Sequence, residues 1–141
     1  MEKNRCIPPS AVIPEVSYPD PGEGAKWLGE AFGFEVRIRI ANHRIQMMFG
    51  GCGLVVTERR DDDTRCSYTM LRVDDADAAC ARAAAAGGKV VRAPESFPYG
   101  ERQAHVEDFA GNEWKLSQTI GDADPLAFGF ETGPAFEDSK L

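Results

Sequence analysis

Two kinds of apolar pattern occur along the chain: apolar residues that alternate with polar ones, as in a strand, and apolar residues at helical spacing. The predicted strands and helices follow one another in the same order twice. In the first half, Asp20 and Pro21 supply an N-cap and a proline at the first helical position, and Gly33 ends the predicted helix. The run Glu35–Ile40 alternates charged and apolar side chains, which is typical of a half-buried strand. The β-prone runs of this half are 12–18, 35–40, 44–49 and 54–57.

The same order begins again after a polar stretch. Asp74 and Asp75 are predicted to cap a helix that runs through Ala86, and Gly87-Gly88 ends it. The β-prone runs of this half are 67–73, 90–91, 101–106 and 113–119. A shift of 55 residues superposes the two halves at both helix ends. The alternative is chance similarity between two ordinary βαβ stretches.

The pattern divides the chain into two modules, each with the order β-α-β-β-β. The expected segments are an irregular lead-in (1–11), a first module (12–58), a charged linker (59–66), a second module (67–120) and a tail (121–141). The predicted fold class is therefore α+β, and we expect the two sheets to pair into one curved surface. The tail is expected to lie over the surface or to be mobile.

Composition narrows the range of partners. The net charge of −7 argues against nucleic acid, and it permits a cationic ligand, although an acidic surface explains the charge equally well. No apolar run approaches the roughly 20 residues that a membrane helix needs. The first ten residues lack an apolar signal region, so we expect a cytoplasmic protein. The four cysteines have no close spacing and are expected to be free thiols.

Three motifs occur in order between residues 12 and 120. They are Tyr18-x-Asp20 with Gly33-Phe34, Val73-Asp74-Asp75 with Gly87-Gly88, and Gly100-x-Arg102 with Asp108-Phe109-Ala110-Gly111-Asn112. Together with the repeat, they resemble the glyoxalase/bleomycin resistance protein/dioxygenase (vicinal oxygen chelate) superfamily. Its closing pattern, G-x-R … F-x-D-P-x-G-N, has proline where this chain has Phe109.

The resemblance implies two βαβββ modules that form an incomplete barrel around a cleft, with the helices outside. It also implies a homodimer and a small-molecule ligand. Members of the superfamily include lactoylglutathione lyase, extradiol dioxygenases, fosfomycin-modifying transferases and antibiotic-sequestering proteins without catalysis. Fold alone does not choose among these activities.

The family's usual metal-ligand positions are occupied by other residue types. The resemblance carries three of them onto Ile13, Tyr68 and Lys115, and the fourth near 55–57, where Glu58 is the nearest carboxylate but is one residue out of register. Isoleucine and a lysine ammonium do not coordinate divalent cations. We therefore expect no metal and no cofactor.

Strand alternation predicts which side chains face the cleft. Ala104 and Val106 should face the helix, so Gln103 and His105 should face the cleft. The expected ligand-binding set is Glu15, Tyr68, Met70, Arg72, Gln103, His105 and Lys115, with Ser117 beside it and with Ile13 and Glu15 across from the rest. The alternative is that these side chains fill a closed barrel.

No catalytic residue is assigned from the sequence. His43 lies in a polar hairpin and is interpreted as a surface residue, whereas His105 is interpreted as a binding or packing residue. The leading hypothesis is a protein without enzymatic activity that binds a small organic molecule, with antibiotics among the candidates. One alternative is a metal-independent lyase, isomerase or other enzyme that uses His105, Tyr68 or Lys115 as acid or base. Another is a degenerate structural or regulatory domain.

Overall fold

Each half of the chain folds into a mixed four-stranded sheet with one α-helix. The structure, a computed structural model, describes residues 4–62, 64 and 66–136; Asp63 and Arg65 of the expected linker, residues 1–3 and residues 137–141 lie outside that part. The first half comprises β1 (Glu15–Tyr18), α1 (Pro21–Phe32), β2 (Glu35–Ile40), β3 (Arg44–Phe49) and β4 (Cys52–Glu58). The second comprises β5 (Tyr68–Arg72), α2 (Ala76–Ala85), β6 (Lys89–Phe97), β7 (Glu101–Glu107) and β8 (Glu113–Thr119).

The two sheets have the same topology, β1-β4-β3-β2 and β5-β8-β7-β6. In each, the first strand pairs in parallel with the last, and the other pairs are antiparallel. The predicted α+β class with two βαβββ modules is confirmed. Within the described residues, no helix is long and apolar enough to cross a membrane.

Both helices begin at the predicted aspartate caps; α1 ends at Gly33 as predicted, and α2 ends at Ala85, one residue before the predicted Ala86. The Asp20 carboxylate accepts a hydrogen bond from the Glu23 amide at 3.3 Å, and the Asp75 carboxylate accepts one from the Ala78 amide at 3.0 Å. Gly33 ends α1 in the left-handed region, with φ of 86°.

The strand that the sequence predicts to open at Val90-Val91 is β6, which runs from Lys89 to Phe97. Pro94 interrupts the apolar pattern, and the pairing register with β7 shifts between Arg92 and Glu95. Because β6 is an edge strand, it tolerates a residue that donates no backbone hydrogen bond.

The two modules pack on each other through their helices, and their sheets remain separate. Among the described residues, no strand of one sheet pairs with a strand of the other, so the expected continuous curved surface is wrong for this chain. Instead, α1 packs on α2, and each helix covers one face of its own sheet. The ring of Phe32 lies 5.2 Å from that of Trp27 and 5.4 Å from that of Trp114 in the other module. The opposite face of each sheet carries no helix.

A buried carboxylate lies at the junction of the modules. Asp108, 4% exposed, accepts hydrogen bonds from the Tyr18 hydroxyl at 2.8 Å and from the Trp114 indole at 3.1 Å. Its other oxygen accepts from the backbone amides of Ala110 and Asn112. Burial, and then the neighbouring Asp108 charge, raise the pKa of Tyr18, so the hydroxyl keeps its proton and remains a donor.

Replacing Asp108 with alanine should destabilise the whole chain. The Asp108→Ala variant leaves the Tyr18 hydroxyl and the Trp114 indole without an acceptor in the core, which should lower the free energy of unfolding by about 3 kcal/mol or more. Urea denaturation followed by circular dichroism measures the loss. The control is Asp122→Ala at an exposed aspartate, which should stay within about 0.5 kcal/mol of the parent. Equal effects of the two substitutions would contradict the role of the junction.

Candidate functional site

The helix-free face of the second sheet, which we call the second face, carries most of the predicted site residues. Ala104, Val106 and Leu116 are fully buried on the helix side, so their neighbours along each strand point to the second face. Those neighbours are Tyr68, Met70 and Arg72 of β5, Gln103 and His105 of β7, and Lys115 and Ser117 of β8. The pairing register places Lys115 between Met70 and His105.

Tyr68, His105 and Lys115 form a contact cluster on this face. The Tyr68 hydroxyl lies 2.9 Å from Nδ1 of His105, and their ring centroids are 5.9 Å apart. Nζ of Lys115 lies 5.7 Å from the centre of the Tyr68 ring, within cation–π range. Tyr68 remains 56% exposed, so its ring is open to a ligand.

The electrostatics of the cluster favour a neutral His105. Partial burial lowers the pKa of His105, and the positive charges of Lys115 and Arg92 lower that pKa further, against a smaller opposing effect of Glu113. The imidazole therefore holds one proton at neutral pH, with one nitrogen free to accept a hydrogen bond. A neutral imidazole beside a tyrosine hydroxyl can bind a polar group or pass a proton.

A chain of hydrogen bonds fixes the buried part of the second face. The Gln103 amide donates to the Ser117 hydroxyl at 3.0 Å, and that hydroxyl donates to the Glu101 carboxylate at 2.7 Å. The Tyr99 hydroxyl donates to the side-chain oxygen Oε1 of Gln103 at 3.0 Å. Gln103 is 7% exposed, so it forms part of the floor and offers little of its own surface.

Sequence reasoning missed two members of this chain of hydrogen bonds. Glu101 shares the parity of Gln103 and His105 on β7, so strand alternation could have found it. Tyr99 lies in the β6–β7 turn, where no periodic pattern indicates the direction of a side chain.

A groove of about 910 Å³ lies between the modules. It shares only Met70 and Arg72 with the predicted set. Its apolar lining includes Phe32, Phe49 and Leu71, and its charged lining includes Asp74, Asp75 and Arg82. Sequence reasoning missed it because it exists only through the packing of one module on the other.

Glu15 is not brought together with the rest of the predicted set. It lies on β1 of the first sheet, where its carboxylate forms an ion pair with Arg44 of β3. Ile13 precedes β1 and is partly exposed. Within residues 4–62, 64 and 66–136, no group of three or more His, Cys, Asp or Glu side chains could hold a metal ion. His43 is exposed, 3.6 Å from the Glu58 carboxylate.

The helix-free face of the first sheet, which we call the first face, is covered by part of the lead-in, residues 4–11. The Arg5 carbonyl accepts from the Arg37 guanidinium at 2.9 Å, and the Cys6 carbonyl accepts from the Gln46 amide at 2.7 Å. The Ser10 hydroxyl accepts from the Gly53 amide at 2.8 Å. As a result, Gln46 is only 5% exposed although no helix covers this face.

Comparisons with known proteins agree with this geometry. A family model described as Glyoxalase/Bleomycin resistance protein/Dioxygenase superfamily matches residues 14–116, well over half of the chain. No curated protein matches the sequence. Among solved structures, TioX from Micromonospora sp. ML1 is 26% identical, with a TM-score of 0.69 over 79% of this chain and 99% of TioX.

Two further structures show similarity in fold alone. A bleomycin resistance determinant encoded on the transposon Tn5 is 20% identical, with a TM-score of 0.63 over 78% of this chain and 98% of that chain. Lactoylglutathione lyase from Agrobacterium tumefaciens is 19% identical, with a TM-score of 0.63 over 79% of this chain and 96% of that chain.

The cover on the first face should depend on Gly53. A Cβ atom there would collide with the ring of Pro8, so Gly53→Ala should displace the lead-in and free the backbone at the Arg5–Cys6 bond, whose two carbonyls are held by Arg37 and Gln46. We expect limited digestion with trypsin to cut after Arg5 several times faster in this variant. Gly133→Ala, where a Cβ would meet open space, is the control. Unchanged cleavage in Gly53→Ala would show that the lead-in is not held there.

The pKa of His105 should respond to Lys115. NMR titration should find the His105 imidazole protonating below its usual pKa of about 6.5. Lys115→Met removes a neighbouring cation and should move this pKa upward. Since the folded-state pKa is depressed, the stability gained from neutral His105 is present above about pH 6.5 and is lost as the pH falls through the folded-state pKa. A His105 pKa that is not lowered, or that Lys115→Met leaves unchanged, would contradict the proximity of Lys115 to His105.

Proposed function

Because the chain belongs to the glyoxalase/bleomycin resistance protein/dioxygenase superfamily, we propose that it binds a small organic molecule on the second face. The observation that carries this proposal is the exposed cluster of Tyr68, His105 and Lys115 beside Met70, which is itself 57% exposed. Small-molecule sites combine apolar and aromatic surface with a few convergent polar groups, and this cluster has both.

The charges around the cluster narrow the class of ligand. Lys115 and Arg92 act on His105 from two neighbouring strands, so a cationic group placed there would be repelled. A neutral acceptor or an anionic group would instead gain a charge-assisted hydrogen bond. The net charge of the chain therefore does not set the preference of this site, and we expect an aromatic ligand that is neutral or anionic where it meets Lys115.

The first face is a weaker candidate for the same role. Residues 4–11 lie across it, and the polar groups of Arg37 and Gln46 are already hydrogen-bonded to that segment. A ligand would have to displace these contacts before it could bind. The second face offers Tyr68 and Met70 without such competition.

A second protomer would complete the proposed site. An open sheet covers one side of a ligand, whereas small-molecule sites bury about 70–90% of the ligand surface. The outer edges of β1 and β5 have no strand partner in the described residues, so they are available for contact with another copy. We therefore propose a homodimer in which the partner covers the second face.

One observation favours a second candidate function, metal-independent acid–base catalysis. The 2.9 Å contact between Tyr68 and a neutral His105 is the geometry that a proton relay requires. A lyase or isomerase would lose turnover in His105→Gln while still binding its substrate, whereas a binding protein has no turnover to lose. The two functions are thus separable in one variant.

A ligand of the second face should stabilise the chain through Tyr68. A thermal-shift screen with neutral and anionic planar aromatic antibiotics should yield a compound that, at a hundred times its Kd, adds about 2.7 kcal/mol to the free energy of unfolding. Tyr68→Ala should abolish most of that gain, because it removes both the ring and the hydroxyl that contacts His105. Ile40→Ala, at an exposed apolar residue of β2, should keep it. The absence of any stabilising compound would favour a structural or regulatory domain, and an equal gain in Tyr68→Ala would place the ligand elsewhere.

A further inference from the structure

The C-terminal tail forms a small pocket against the β6–β7 turn. Its volume is about 430 Å³, and its lining residues are Tyr99, Ala123, Pro125, Phe128 and Phe130. Four of these five residues follow residue 116, where the family match ends. The pocket therefore lies mostly outside the part of the chain that matches the family, and its lining includes none of Tyr68, His105 and Lys115.

Specific backbone contacts hold the tail against the turn. The Ile120 amide donates to the Gly100 carbonyl at 2.8 Å. Gly100 has φ of 88°, and a Cβ atom there would collide with the carbonyl of Gly121, so both the conformation and the close approach require glycine. The tail is thus positioned as it leaves β8.

A short 3-10 turn (Pro125–Phe128) then directs two rings into the pocket. The Asp124 carboxylate caps the turn by accepting from the Leu126 amide at 3.0 Å, and Gly129, with φ of 73°, ends it. The amide of Phe130 donates to the carbonyl of Pro125 at 3.1 Å. This closure brings the Phe128 and Phe130 rings to 5.6 Å with only 22° between their planes.

Tyr99 supplies a third ring of the pocket lining. It stacks on Phe97 with centroids 5.4 Å apart and 8° between the planes, and its hydroxyl is tied to Gln103. Tyr99, Phe128 and Phe130 remain 40–51% exposed, so the lining of the pocket leaves aromatic surface uncovered.

We propose that this tail pocket binds a planar aromatic ring system of a small molecule. Its volume lies within the roughly 300–1,000 Å³ typical of small-molecule sites, and its lining offers ring faces with one hydroxyl. Aromatic rings pair with such faces in offset-stacked or edge-to-face geometry. The Tyr99–Gln103 hydrogen bond links the lining of the pocket to the floor of the second face, but the proposal does not depend on a ligand binding there.

Titration of the full chain with 2-naphthol, followed by amide NMR, tests the pocket. We expect saturable shifts at Tyr99, Ala123 and Phe130, and affinity roughly two- to tenfold higher than for decahydro-2-naphthol, which has similar apolar bulk but no ring face. Phe130→Leu keeps an apolar side chain at an exposed position and should weaken 2-naphthol binding by a similar factor. The control is Leu126→Ala, in the same turn but outside the pocket lining, which should bind as the parent does.

Several results would overturn the proposal. Equal affinity for the aromatic and the saturated compound would show only nonspecific apolar binding. Shifts confined to Tyr68 and His105 would place the aromatic compound on the second face. Tail shifts that depend on protein concentration and not on 2-naphthol would show that a second copy of the chain occupies the pocket.

Discussion

The carboxylate of Asp108, buried where the modules meet, is the interaction on which the rest of the structure depends. A buried carboxylate is costly unless its lone pairs are satisfied, and here four donors satisfy them. One donor, Tyr18, belongs to the first module, and the other three belong to the second. Arg59 adds a further link, donating to the carbonyls of Ser17 and Ala110. The end of β1 and the β7–β8 turn therefore fit together in one arrangement.

In that arrangement the two modules have similar folds, but only the second leaves the helix-free face of its sheet open. Both sheets place a helix on one face, and the shared core includes the contact of Trp27 and Phe32 in α1 with Trp114 in β8. The first module uses the lead-in to cover its other face. The second leaves Tyr68 open, above a floor whose polar groups are already paired with one another. The difference arises from chain segments outside the repeat and not from the βαβββ units themselves.

Local chemistry accounts for what the sequence predicted well. Asp20 and Gly33 bound the first helix because capping acts within one turn, and strand alternation placed His105 and Lys115 on one face because it acts over neighbouring residues. The joining of the sheets was predicted wrongly, and the groove between modules was missed, because both depend on contacts far apart in sequence. Asp108 was recognised only as part of a turn motif, since its partner Tyr18 lies 90 residues away.

Native-state hydrogen exchange tests most directly whether the Asp108 junction makes the two modules one cooperative unit. The amides of Val56 in β4 and Leu116 in β8, at the centres of the two sheets, are the probes. If the junction couples the modules, both amides should exchange with the same free energy of opening and the same dependence on denaturant. If one sheet opens at a free energy lower by more than about 1 kcal/mol, the modules unfold separately and the account is contradicted.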